Sequence, residues 1–392
     1  MPLFKSGSVS SAPPSLLRIL LLCVLLASLL AAPAPARAAD PGVDPALAAA
    51  LEQLLEQTVV SGRIPGAALA VSIPGQGTWA GARGLADRDG GLALAPDTIF
   101  SIASISKLFV ATVALQLVQE GWLSLDQTVE RWLPGMIAHG DRIAVRHLMN
   151  HTSGLPDYLD ESFAEAALAD RGRVWAPHEL VASALERRSA TAVGRWRYSN
   201  TNYVLLGMIV EQVTHNSLAR ELHQRIIDPL GLSHTFVAPD DPLPAQIMHG
   251  YEGRRDETMG REMSFAWGAG SILSSVEDLA RFAGALFGGV LLRPETLATM
   301  RTFVGTRGWD PPDLTYGLGV MRMLLRAAQP MVALGHTGAL IGYRTALWYL
   351  PNTGVTIAVA LNQMTADPDR VAAKALDALR AHGVGQVARI SS

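Results

Sequence analysis

The order of the apolar patterns predicts an α+β fold in which one sheet, drawn from both ends of the chain, encloses an inserted helical block. Three observations carry this: strand-like segments at residues 67–85, helical spacing from 104 to about 265, and strand character again at 343–361. Ala67 to Ile73 and Thr78 to Leu85 read as two strands around Pro74-Gly75-Gln76-Gly77, a turn-rich linker. A helix starts at Ser104, with Leu108, Ala111, Leu115 and Val118 at three- and four-residue spacing and Gly121 as its stop signal. Further helices are expected from about Asn202 to Thr214 and from Ser217 to Asp228, ahead of Pro229-Leu-Gly. Ser274-Ser275-Val276-Glu277 has the capping-box pattern ahead of Leu279 and Phe282. Tyr343 to Leu350 and Val355 to Leu361 flank Pro351-Asn352-Thr353-Gly354 as a hairpin, with Val355, Ile357, Val359 and Leu361 on one face. A helix from Pro368 to Ala381 follows. The sheet lobe is thus expected at about 45–103 and 268–385, the helical lobe at about 104–267, and a site in the cleft between them.

Residues 1–38 read as an export signal. Lys5 and Arg18 are basic, Ile19 to Ala32 is apolar except for Ser28, and Ala36-Arg37-Ala38 offers a cleavage site. The apolar run is shorter than the roughly 20 residues that span a bilayer, so the expectation is an exported protein, with an uncleaved anchor as the alternative. Cys23, the only cysteine, falls in this segment, and the remaining chain can form no disulfide and no cysteine metal site. Removing Lys5, Arg18 and Arg37 leaves 29 basic against 35 acidic residues, a formal charge of −6. Nucleic acid is not an expected partner of such a chain. The ten histidines are read as showing no metal spacing such as His-x-x-x-His, and Gly-x-Ser-x-Gly is absent, so neither a zinc hydrolase nor an α/β-hydrolase is expected.

Of the 32 basic residues only Lys5, Lys107 and Lys374 are lysines. A chain that otherwise selects arginine retains lysine at Ser104-Ile105-Ser106-Lys107. Lysine can lose its proton on desolvation whereas arginine cannot, and i, i+3 positions share a helix face, so Ser104 and Lys107 form a candidate nucleophile and base. The competing reading is a helix start with Ser104 as N-cap and Lys107 exposed, yet a first-turn lysine faces the positive end of the helix dipole. Tyr198-Ser199-Asn200 precedes the helix at 202, and His336-Thr337-Gly338 sits where the sheet resumes. Taken singly, these two would be a packed tyrosine with an asparagine cap, and a turn.

In order, Ser104-x-x-Lys107, Tyr198-x-Asn200 and His336-Thr337-Gly338 resemble the three motifs of penicillin-recognising serine hydrolases, which include penicillin-binding proteins and class C β-lactamases. The resemblance runs from about Ile64 to Asn362. It extends to Ile99-Phe-Ser-Ile-Ala-Ser-Ile-Ser-Lys107, Leu148-Met-Asn-His-Thr-Ser-Gly-Leu-Pro156, Tyr198-Ser-Asn-Thr-Asn-Tyr-Val-Leu-Leu-Gly207 and Gly335-His-Thr-Gly338. It implies an antiparallel sheet flanked by helices, an inserted all-helical lobe, and one hydrolase domain over 39–392. It also implies an acylated nucleophile at Ser104, Lys107 as its base partner and Tyr198 as a second acid/base. Asn200 would hold Lys107 and the substrate amide; Thr337, Gly338 and Ala339 would line the substrate strand; and the Ser104 and Ala339 N–H groups would form the oxyanion hole. His336 replaces the lysine of class C β-lactamases, which implies a weaker, pH-dependent anchor for a substrate carboxylate.

His151 is left outside the site as a structural residue, and Arg322 and Arg326 are read as strand-end charges rather than carboxylate ligands. No cofactor, metal or obligate protein partner is expected. The implied function is a D-alanyl-D-alanine carboxypeptidase or D-amino-acid peptidase acting through an acyl-enzyme on a small or peptide substrate. The alternatives are a carboxylesterase, a class C-type β-lactamase or, in another class, a non-catalytic binding scaffold.

Overall fold

The computed structural model describes residues 42–384 apart from 188–189, 259–262 and 310. The expected export signal, residues 1–38, lies outside the described residues. Five helices and one sheet position the site. They are α1 Pro45–Gly62, α2 Ser106–Gln119, α3 Thr201–Thr214, α4 Val276–Phe287 and α5 Pro368–Ala381. The strands are β1 Gly66–Ile73, β2 Gly77–Asp87, β3 Leu92–Ala93, β4 Val304–Gly305, β5 Thr315–Tyr316, β6 Met321–Leu325, β7 Met331–Leu340, β8 Tyr343–Leu350 and β9 Val355–Leu361.

The nine strands form one sheet in the order β3-β2-β1-β9-β8-β7-β6-β5-β4. Every pairing is antiparallel, and the two ends of the chain meet where Ala67 lies opposite Leu361 and Val71 opposite Ile357. The sheet is therefore built from both ends, as the sequence pattern predicts. Side chains alternate across it as the strand period requires. Ile357, Val359 and Leu361 pack with Leu47, Leu51 and Leu55 of α1 and Leu376 and Leu379 of α5. The opposite face offers Ala68, Ala70, Ala358 and Ala360 to the cluster that contains Leu279 and Ala283 of α4. Small residues on that face let α4 approach closely, while the bulky face fills the wider gap to α1 and α5.

Three local expectations shift. The cap of α4 is Ser275, whose side chain accepts from the Asp278 amide, one residue beyond the expected Ser274. The helix expected over 217–228 is divided into Leu218–Leu222, a π-turn at His223–Ile227 and a last turn at Asp228–Leu230. Ser104 does not cap α2 from an extended residue. It lies in a 3₁₀ turn, Ala103–Ile105, that runs into the helix.

Candidate active site

Ser104 is held by strain and close packing on both sides of its turn. Ala103 has φ +48, a left-handed value that a residue with a Cβ adopts only when its surroundings impose it. The Ile102 amide donates to the Ile272 carbonyl at 3.1 Å, and Thr345 Oγ1 of β8 donates to the Ile102 carbonyl at 3.2 Å. Gly338 of β7 lies against the same turn. A Cβ there would stand 2.4 Å from the Ile102 carbonyl oxygen and 2.2 Å from Thr345 Oγ1, so only glycine lets β7 run beside the serine. Thr337 is half-buried and Ala339 exposed on this strand.

Lys107 lies one helical turn from Ser104 and is completely buried. Its Nζ donates to Ser104 Oγ at 3.0 Å, Asn200 Oδ1 at 2.8 Å and the Ala269 carbonyl at 2.7 Å. The amide of Asn200 is oriented by Asp157, whose two carboxylate oxygens receive Asn200 N–H and Asn200 Nδ2–H, each at 3.0 Å. Asn200 must therefore present its oxygen to Lys107. Burial pushes the Lys107 ammonium from its usual 10.5 down to about 7, while Asp157 acts to raise it. Burial raises the Asp157 carboxyl, against the pull of the Leu159 and Asn200 amides and of Lys107.

This arrangement determines what happens when Lys107 loses a proton. Asn200 Oδ1 and the Ala269 carbonyl only accept, so the two remaining N–H bonds stay on them. The lone pair then faces Ser104, the one partner that can donate in return. Tyr198 O–H donates to Ser104 Oγ from the other side at 2.9 Å. Burial pushes its phenol well above the ordinary range, so Tyr198 keeps its proton. The structure thus brings Ser104, Lys107, Tyr198 and Asn200 together, with Gly338 against them.

His336 departs from expectation. It is fully buried, and both ring nitrogens are engaged: Nδ1 faces the Thr337 carbonyl at 2.6 Å and Nε2 the Tyr316 hydroxyl at 2.8 Å. The carbonyl can only accept, so the proton is assigned to Nδ1 and Nε2 accepts from Tyr316. Burial, with Lys107 adding to it, pushes the imidazole down to about 3. The ring is neutral and has no free edge, so it is not a pH-dependent anchor for a substrate carboxylate. Arg326 pairs with Asp313 at 2.9 Å, in keeping with a strand-end charge.

Four residues were not legible as parts of this site. Asp157 follows the His151-Thr-Ser-Gly-Leu-Pro loop, and its position there, in an otherwise small and apolar run, was the available signal. His151 is fully buried, and its ring lies 4.3 Å from that of Tyr198. Its Nδ1 faces the Ser199 amide at 3.3 Å and Asn202 Nδ2 at 3.1 Å. Burial, then repulsion from Lys107 and His336, holds it well below the usual histidine range, so a neutral ring backs Tyr198. Trp309 stacks on the outer side of Tyr198 at 5.0 Å and 28°, and Tyr316 packs edge-on at 6.3 Å. Contrary to the expected absence of His-x-x-x-His spacing, His147 and His151 do stand four residues apart, but His147 Nδ1 accepts from the Ala144 amide. Among the described residues no group of three or more His, Cys, Asp or Glu side chains is placed to hold a metal.

A serine flanked by an amine and a phenol defines a class, that of serine hydrolases with a Ser-x-x-Lys nucleophile. The chain belongs to the Beta-lactamase family, whose model matches residues 51–382. It is 28% identical over 276 residues to penicillin-binding protein 4* of Bacillus subtilis, covering 64% of this chain and 58% of that relative. Among solved structures, a D-stereospecific amidohydrolase from a Streptomyces species superposes with a TM-score of 0.73 at 34% identity, over 84% of this chain and 97% of that one. The D-amino acid amidase of Ochrobactrum anthropi SV3, complexed with L-phenylalanine, gives 0.78 at 28% identity over 86% and 99%.

Proposed function

We propose that the protein hydrolyses amide or peptide bonds on the carbonyl side of a D-amino acid through an acyl-enzyme on Ser104. The supporting observation is the polarity of the Lys107 contacts: with two acceptor-only oxygens fixed around Nζ, deprotonation near neutral pH turns its lone pair toward the Ser104 hydroxyl. Lys107 takes the hydroxyl proton as Oγ attacks the substrate carbonyl carbon. The Ser104 and Ala339 N–H groups receive the oxyanion. Tyr198 relays the proton to the leaving nitrogen, the C–N bond breaks, and water later cleaves the ester to regenerate the Ser104 hydroxyl. Lys107 and Tyr198 act as one linked pair in these transfers.

Within this class the neutral His336 supplies no positive charge for a terminal carboxylate, so the third motif does not favour a carboxypeptidase over an amidase. The likeness to D-stereospecific amidohydrolase and D-amino acid amidase, each almost wholly covered, favours a D-amino-acid amidase or peptidase. The test is ammonia release from D- and L-phenylalanine amide by wild type and Ser104→Ala. The expected outcome is turnover of the D-form, reduced by about 10⁴-fold or more in the folded variant. Retained turnover by Ser104→Ala, or preference for the L-form, would reject the reading.

A further inference from the structure

Next to the catalytic group lies a cationic cavity that the chemistry above does not use. Arg195, Trp196 and Arg197 on one side, and Gly305 and Arg307 on the other, line an open cavity of about 950 Å³. That volume is near the upper end of ordinary small-ligand sites and suits several residues of peptide better than one small anion. The segment carrying Arg195 and Arg197 is fixed. Thr191 N, Gly194 N and Arg197 N donate to the carbonyls of Gly154, Thr152 and His151, each at 2.8 Å.

None of the three guanidinium groups has an ion-pair partner among the described residues, in contrast to Arg171, Arg225 and Arg326, which face Glu257, Glu120 and Asp313. Asp313, in the same loop region as Arg307, is committed to Arg326. Uncompensated positive charge concentrated in one concavity is notable in a chain whose formal net charge is −3. Trp196 adds an indole N–H that is buried without an acceptor. The three guanidinium groups therefore offer the cavity hydrogen-bond donors in excess, the complement of an acceptor-only carboxylate.

The cavity also touches the site. Trp196 packs edge-on against Trp309 at 5.0 Å, and Trp309 stacks on Tyr198, which donates to Ser104 Oγ. The cavity is thus linked to the reacting serine through three successive aromatic rings, Trp196, Trp309 and Tyr198.

We propose that this cavity is a subsite for an acidic peptide segment of the substrate, remote from the scissile bond, so that the preferred substrates are D-amino-acid amides carrying carboxylates on a peptide chain. The inference rests on the hydrolase reading for the word substrate. Guanidinium forks grip carboxylates in bidentate fashion, and an unneutralised cationic concavity raises the local concentration of anions.

The experiment uses Ser104→Ala protein, so that binding is read without turnover. Tryptophan fluorescence is followed on titration with N-acetyl-D-glutamyl-D-glutamate and with its uncharged counterpart N-acetyl-D-glutaminyl-D-glutaminamide. The anionic peptide is expected to bind about tenfold or more tightly at low ionic strength, with the advantage lost at about 0.5 M salt. It should also vanish when Arg195→Gln, Arg197→Gln and Arg307→Gln are added. Equal affinity for the two peptides, or a preference that survives the three substitutions, would overturn the proposal. In the active enzyme the ratio of kcat/KM for anionic and neutral D-amino-acid amides should fall about tenfold with the same substitutions. Selective anion binding by a protein that hydrolyses neither substrate would retain the subsite and reject the hydrolase reading; hydrolysis without selectivity would do the reverse.

Discussion

Lys107 and His336 lie on different elements close to Tyr198, and both are fully buried, yet the fold leaves them in different states. Burial lowers the proton affinity of both. Lys107 goes from 10.5 to about 7, with Asp157 acting against the fall. His336 goes from 6.5 to about 3, with Lys107 adding to the fall and only the Thr337 carbonyl favouring the charged ring. The two falls are of similar size, so the lesson is that one depth has opposite uses for different groups: it brings a lysine near the pH at which a base is useful and makes a histidine a permanent neutral strut.

Substitution can break this contrast most forcefully at Lys107. Lys107→Arg keeps the charge and loses the ability to shed it, and kcat/KM for a D-amino-acid amide is expected to fall by about 10³-fold. Near-normal turnover in that variant would mean that proton loss at 107 is not needed.

Asp157→Asn sharpens it. Asparagine can no longer accept twice from Asn200, and kcat/KM should drop about 10- to 100-fold, the equivalent of roughly 1.5–3 kcal/mol for a charged hydrogen bond. The sign on pH also follows. The acid limb of the kcat/KM profile, with its midpoint near 7 from Lys107, should move to lower pH, because removing the carboxylate removes support for the ammonium. An unmoved or raised midpoint would show that Asp157 does not act on Lys107.

The smallest effect is expected at the other member. His336→Gln should change kcat/KM by less than about threefold and leave the acid limb where it is, with a melting temperature a few degrees lower from lost packing. Disappearance of an inflection between pH 5 and 8 would show instead that His336 titrates.

The parts of this picture that sequence supplies are those governed by local rules. The hairpin of β8 and β9 and the helix α5 match their expected limits residue for residue, because a period of two, a Pro-Asn-Thr-Gly turn and a Pro at the first helical position each leave a mark on adjacent residues. Ser104 and Lys107 were legible through their spacing and the scarcity of lysine. Asp157 was not, because its partner Asn200 is 43 residues away and nothing near it in sequence announces the pairing. The burial of His336 depends on Tyr316, a residue of another strand beyond a loop without periodicity. The π-turn at His223–Ile227 defeated a continuous-helix expectation for a different reason: one inserted residue leaves the apolar spacing almost intact.

The junction between β1 and β9 has a consequence for how the chain is made. Gly66 N donates to Asn362 Oδ1 at 2.6 Å, from a residue 296 positions away, and β1 has β2 on one side and β9 on the other. As the polypeptide emerges, the hairpin of β1 and β2 exposes a bare hydrogen-bonding edge until β9, about 300 residues later, has been synthesised. At elongation rates of about 5–20 residues per second, that edge waits tens of seconds, open to pairing with other nascent chains. The sheet therefore cannot close until this strand arrives, and the early hairpin carries the longest-exposed edge of the β1–β9 junction.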